Sequence, residues 1–165
     1  MLRAAVPSDL ETRATDDHHD ALRVWLRLLA TSNMIESRVR TRLQERFGMT
    51  LPRFDLLAQL ERVPTGLRMN ELSARMMVTG GNVTGITDAL EREGLVVREA
   101  DPADRRAWRV RLTSAGRRSF RSMADEHEKW IVQMFAGLPS RDIAQLNELL
   151  GRVKTHLRTS NEDEA

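Results

Sequence analysis

No cysteine occurs among the 165 residues, which excludes disulfides, thiolate zinc sites, cysteine nucleophiles and direct thiol redox sensing. No apolar run approaches the roughly 20 residues that span a bilayer, so no membrane partner is expected. Residues Met1–Asp20 lack the apolar core of a signal peptide and carry five acids against two bases; a polar, mobile tail and a cytoplasmic location are expected. The chain also lacks a phosphate-binding glycine loop, an HExxH motif and a convincing Ser-His-Asp order, so no catalytic residues and no cofactor are expected. Two histidine groups, Asp16-Asp17-His18-His19-Asp20 and His127 between Glu126 and Glu128, do not have zinc-site spacing, and no metal is expected there. Lysine is scarce as well: only Lys129 and Lys154, the other 24 of the 26 basic residues being arginine.

What is present suits one globular domain. At 41% apolar and 30% charged residues, a chain of this length buries a real core. The eight methionines read as core filler, with Met76 and Met77 at a joint between helices. The net charge is only +2 but unevenly spread. Residues 94–121 hold eight arginines against Glu99, Asp101 and Asp104, while both ends of the chain are acidic. A basic segment on a near-neutral chain points to a localised anionic partner. Arginine is the side chain suited to it, because its planar fork grips phosphate and base edges at two points.

Apolar spacing predicts a first helix over 21–47, with Leu22, Trp25, Leu29, Ile35, Val39, Leu43 and Phe47 on one stripe and Gly48 as its stop. Thr50 is the expected cap of a second helix with Phe54, Leu57 and Leu60 inward. A short helix near Asn70–Met76 and a tight connection lead to a helix from Gly80 to Glu93, capped by Thr79. The period then changes: Leu95–Arg98 and Trp108–Leu112 read as two strands joined by a polar turn, a hairpin with a basic tip. Thr113 opens a long helix to about Phe135. Ser140 opens the last, to about Leu157, with Ile143, Leu146, Leu149, Leu150 and Val153 expected inward. The fold class is mainly α with a small β-hairpin wing. It divides into a 1–20 tail, a single domain over 21–157 and an acidic tail over 158–165. Within the domain, a winged helix-turn-helix spans 50–112, and helices 21–47, 113–135 and 140–157 form a dimerisation region.

Short helix, turn, second helix and hairpin form the order of a winged helix-turn-helix, whose second helix fits a major groove about 12 Å wide. Gly80, Gly81 and Gly85 each cost that helix roughly 1 kcal/mol against alanine. They allow close approach of its N-terminus to phosphate or base edges. Thr79, Gly81, Asn82, Thr84 and Thr87 are the expected DNA contacts on this helix. Arg105 and Arg106 at the hairpin tip suit the adjacent minor groove. Asp104 reads as a brace that pairs with a neighbouring arginine. Taken alone, the Asp-Arg-Arg tripeptide is an ordinary solvated turn; its position after a helix-turn-helix favours DNA.

Three blocks carry a resemblance: Leu90-Glu-Arg-Glu-Gly94-Leu-Val, Asp101-Pro-Ala-Asp-Arg-Arg106 and Leu112-Thr113-Ser-Ala-Gly116. In this order and spacing the chain resembles the MarR family of bacterial transcriptional regulators over residues 21–157. The resemblance implies a homodimer with interlocked terminal helices, a pseudo-palindromic operator, usually repressed, and a wing arginine in the minor groove, matching Arg105 or Arg106. Thr79-Gly80-Gly81-Asn82 departs from the commoner serine- and lysine-rich start of the family's recognition helix, which leaves the operator sequence open. The dimer has a physical basis too, since Ile131, Met134, Phe135 and Leu138 would stay exposed in a monomer.

Members of this family commonly release DNA on binding a small anion, often an aromatic acid. In the first helix, Ser32, Glu36 and Arg40 interrupt the apolar stripe, and a buried polar interruption must be satisfied. Either Glu36 and Arg40 satisfy each other at i,i+4, or these groups line an effector pocket with Trp25, Arg53 and Phe54. In the pocket reading, Arg40 or Arg53 meets a carboxylate or phosphate. By resemblance to members serving aromatic-acid catabolism, the effector is expected to be an aromatic carboxylate or its CoA thioester. The alternative is a constitutive winged-helix DNA-binding protein without an effector.

Overall fold

A computed structural model of the chain describes residues 20–160 apart from 103 and 105. The expected tails up to residue 19 and from 161, and Arg105, therefore lie outside the described residues. The elements run α1 (Asp20–Phe47), α2 (Leu51–Glu61), β1 (Leu67–Arg68), α3 (Met69–Met76), α4 (Gly80–Arg92), β2 (Val96–Ala100), β3 (Trp108–Leu112), α5 (Ser114–Phe135) and α6 (Ser140–Ser160). The fold is mainly helical with a small antiparallel wing. Two compact units meet at Asp125 and Glu126, within α5.

In the first unit, α2, α3 and α4 pack around Leu56, Leu57, Leu60, Leu72, Val83 and Leu90, all buried. These are the apolar positions that helical spacing places on one face of each helix. The sheet has the order β1-β3-β2. Val96 opposite Leu112 and Arg98 opposite Val110 set the hairpin register, with Val96, Val110 and Leu112 turned into the core. Strand β1 was not expected: its Leu67 and Arg68 lie against Val110 and Arg109, and two residues are too few to show a period.

The caps differ from expectation in detail. Thr50 and Thr79 occupy the N-cap positions of α2 and α4 with extended backbone, but neither side chain makes a capping bond. Thr113 does cap α5, its hydroxyl accepting from Gly116 N–H at 2.9 Å. Before α6 the cap is Pro139, whose carbonyl accepts from the amides of Asp142 and Ile143.

Two expected inner stripes are largely exposed among the described residues. In α1 only Val39 and Leu43 are buried, while Leu22, Trp25 and Leu29 are exposed. In α6 no residue is buried, and Ile143, Leu146, Leu149, Leu150 and Val153 are all exposed. The amphipathic spacing is present in both helices, with its apolar residues exposed. In the second unit, Ile131, Val132, Phe135 and Leu138 join Ile143, Leu146 and Leu150 around an apolar cleft of ≈ 480 Å³.

Candidate nucleic-acid interface

Helix α3 ends in a left-handed residue, Met77, with φ 53° and ψ 40°. Val78 N–H bonds back to Ser73 O and Met77 N–H to Ala74 O, the paired bonds of a Schellman ending. Ser73 Oγ also donates to Val78 O at 2.7 Å, which fixes the turn between the helices. Thr79 then begins α4, its carbonyl accepting from the amides of Asn82 and Val83. As in any helix, the earlier amides of the first turn have no intrahelical acceptor, and here they belong to Gly80 and Gly81.

The start of α4 is open. A Cβ added at Gly80, Gly81 or Gly85 would meet nothing within 4 Å, so packing within the chain does not require glycine at any of the three. Thr79, Gly81, Asn82 and Thr84 are exposed. The Thr84 hydroxyl donates to Gly80 O at 3.0 Å. Thr87 is a correction: it is 0% exposed, with its hydroxyl donated to Val83 O at 2.8 Å. It lies on the Val83–Leu90 stripe facing the core and cannot reach a base edge.

The wing is held by an acid that sequence reading left as a turn residue. Asp101, 1% exposed, accepts from Arg68 Nε at 2.7 Å and Arg109 Nε at 2.8 Å. The bond to Asp101 holds the Arg68 guanidinium above its usual range. Arg109 also donates to Gly66 O at 3.0 Å, so strand β1, strand β3 and the wing loop converge on one carboxylate. The carboxylate of Asp104, the expected brace, accepts from the backbone N–H of Arg106 at 3.0 Å, and its charge also acts on the Arg68 guanidinium. Arg106 is exposed at the tip.

The basic segment is less available than its count suggests. Arg98 pairs with Asp88 and Glu91 of α4. Arg111 pairs with Glu99 and, through that hydrogen bond, holds its carboxyl below the usual carboxylate range. Arg117 and Arg121 reach Glu61 of α2. Together with Arg109 these make five of the eight arginines that fasten the scaffold, and Arg106 stands at the wing tip.

The six expected effector residues are not gathered around the apolar cleft, which is lined from α5 and α6 and the loop between them. Trp25 is 54% exposed, and Ser32 is exposed too. Glu36 and Arg40 pair with each other across one turn of α1, the simpler of the two expectations. Arg53 bonds Glu93, the residue that ends α4, while its Nε is buried without a hydrogen-bond partner. Phe54 is a core residue whose ring lies 5.4 Å from that of Phe120. Beside them, burial and the Glu36 charge push the Asp55 carboxyl above its usual range. Among the described residues no group of three His, Cys, Asp or Glu is placed to hold a metal, and burial lowers the His127 imidazole. Nor is any described helix long and apolar enough to cross a membrane.

A sequence model described as the MarR family matches residues 47–107, the segment from the end of α1 through the wing loop. The transcriptional activatory protein BadR of Rhodopseudomonas palustris is 33% identical over 118 residues, 67% of each chain. The uncharacterized HTH-type regulator YkoM of Bacillus subtilis is 34% identical over 89 residues, covering 54% of this chain and 58% of that protein. The chain thus spans little more than half of YkoM and about two thirds of BadR. Among solved structures, Sco3205, a MarR family regulator from Streptomyces coelicolor in complex with DNA, superposes with a TM-score of 0.73 at 27% identity, covering 87% of this chain and 91% of that one. CouR from Rhodococcus jostii RHA1, bound to p-coumaroyl-CoA, does so with a TM-score of 0.68 at 25% identity, covering 79% and 90%.

Proposed function

The chain belongs to the MarR family of DNA-binding transcriptional regulators, and from that membership we propose that it works as a homodimeric repressor released from a pseudo-palindromic operator by a small anionic effector. These relatives are named as transcriptional regulators, and the chain is a regulator rather than an enzyme. The observation that carries the DNA reading is an open α4 start on the same unit as a wing tip held by Asp101. Thr79, Gly81, Asn82 and Thr84 meet the major groove, where exposed amides and hydroxyls serve phosphates and base edges. Arg105 and Arg106 meet the minor groove. Sco3205, crystallised with DNA, supports this assignment.

The homodimer rests on the exposed apolar faces of α1 and α6, more than a soluble monomer ordinarily leaves uncovered. Its partner being chromosomal DNA, the dimer acts in the cytoplasm. Repression is the outcome proposed here; BadR, named for activation, is the relative that argues for the opposite sign.

The effector is an aromatic carboxylate or its CoA thioester, a reading supported by CouR with p-coumaroyl-CoA. Arg53 is the better anion receptor of the two arginines, because its buried Nε has a hydrogen bond still to give. Arg40, Glu36, Ser32, Trp25 and Phe54 complete the proposed site.

The test is binding to duplexes that the full chain selects from a random-sequence pool. Replacing Arg105 and Arg106 together by alanine lowers affinity at least about tenfold and reduces the salt slope by about 2. Unchanged affinity at near-physiological salt overturns the wing assignment. For the effector, aromatic acids and their CoA thioesters are screened by thermal shift. A ligand that releases DNA from the wild type and not from Arg53→Ala supports the site.

A further inference from the structure

The turn before α4 holds a side chain that neither the core nor the charge pairs explain. Met77 is 90% exposed, the most exposed of the large apolar residues described. It is also the one described non-glycine residue at positive φ. Glycine or asparagine suits this position of a Schellman ending, since a Cβ there crowds the backbone. A methionine in this place carries two disadvantages for folding, left-handed backbone and an apolar chain in water, with no packing to offset either. Such a combination at a turn points to a contact made only in a complex.

The position says which complex. Met77 lies two residues before Thr79, the N-cap of α4, on the turn whose geometry Ser73 and Val78 fix. Next to it, Gly80 and Gly81 carry no side chain and have open space around them. A long thioether at this joint stands two residues before the N-cap of α4 and is exposed. Thioethers are flexible and polarizable and adapt to irregular apolar surfaces. Duplex DNA offers two such surfaces at a groove edge, the thymine C5 methyl and the deoxyribose carbons.

Resting on the DNA-binding reading above, we propose that Met77 is a DNA-contacting residue whose side chain packs on hydrocarbon of the operator beside the groove entered by α4. It adds affinity without charge, at a site where the chain has given up folding stability.

The test uses the full chain and a labelled duplex selected by the wild type from a random pool. Met77→Gly is expected to melt higher than wild type, because glycine relieves the left-handed backbone. It is expected to bind the duplex about tenfold more weakly. Because no charge is lost, the slope of log Kd against log salt stays as in the wild type. Met77→Leu, which keeps the apolar volume, is expected to bind within about twofold of wild type. A merely structural residue would move stability and affinity in the same direction. Wild-type affinity in Met77→Gly overturns the proposal while leaving the DNA reading intact. Failure of the wild type to enrich any duplex overturns the DNA reading and the proposal together. Deoxyuridine in place of thymidine separates the two surfaces. Weakening in the wild type alone assigns the thymine methyl, and equal behaviour assigns deoxyribose, each in support of the contact.

Discussion

Arg68 Nε donates to the carboxylate of Asp101 at 2.7 Å across 33 residues of chain, joining the two-residue strand that opens the helix-turn-helix to the loop of the wing. Arg109 shares the same oxygen, so removal of one carboxylate strands two guanidinium groups. Each is about one third exposed, which lets water offset part of the loss. Asp101→Ala is expected to cost about 2 kcal/mol in urea unfolding and to weaken operator binding through a loosened wing. Asp101→Asn, which keeps the shape and one acceptor, is expected to cost less. An unchanged unfolding midpoint in the alanine variant would remove Asp101 from this role.

Glycines at 116 and 85 should respond in opposite directions. A Cβ on Gly116 would lie 1.9 Å from the Leu95 carbonyl oxygen, and backbone cannot move aside as a side chain can. Gly116→Ala is expected to lose more than about 3 kcal/mol or to fail to fold. At Gly85 nothing stands within 4 Å, and alanine there is expected to gain about 0.5–1 kcal/mol of helix stability. If Gly85→Ala also weakens DNA binding, the open face of α4 is a contact surface. Parallel thermal melts and anisotropy titrations separate the two effects.

The helix-turn-helix and wing were legible because each element announces itself locally, by a 3.6-residue apolar period or by alternation around a polar turn. Thr87 was equally legible: it follows Val83 by four residues and precedes Leu90 by three, which puts it on the buried stripe. Asp101 was not legible, since a pair that closes through space over 33 residues leaves no mark in spacing. Strand β1 was lost for brevity. For α6 the amphipathic pattern was plain, but a periodic apolar stripe does not say whether its own chain or another covers it. The Arg53–Glu93 link escaped for the same reason as Asp101, since charge on two distant helices carries no register.

Asp55 gives the chain a pH signature. Burial and the Glu36 charge raise its folded-state pKa, so the folded protein holds this proton more tightly than the unfolded chain does. Stability contributed by the group is therefore full below the ordinary value of 3.8 and falls as pH rises through the raised one. Asp55 is exposed, so water screens part of the effect; Asp55→Asn removes the ionisation and is expected to raise the melting temperature at pH 7 by about a degree at most. Below about pH 3.8 the variant and wild type should converge. A variant less stable than wild type at pH 7 would show that the carboxylate makes a favourable bond outweighing its burial.

The exposed face of α6 carries the last expectation. Leu146 and Leu150 line the apolar cleft with Ile131, Phe135 and Ile143, and in the proposed homodimer this is the face assigned to the second copy. A carboxylate at either leucine would be desolvated on association without a partner, at a cost of several kcal/mol, while the isolated chain leaves both positions exposed. Leu146→Asp is therefore expected to keep its helical content and to elute, by light scattering, at the 18.8 kDa of one chain, with the wild type at twice that mass. Operator affinity should fall with it, because two half-sites then bind independently. A variant that remains dimeric would exclude this face from the interface. The exposed stripe of α1 with Leu22, Trp25 and Leu29 would then be the surface to test.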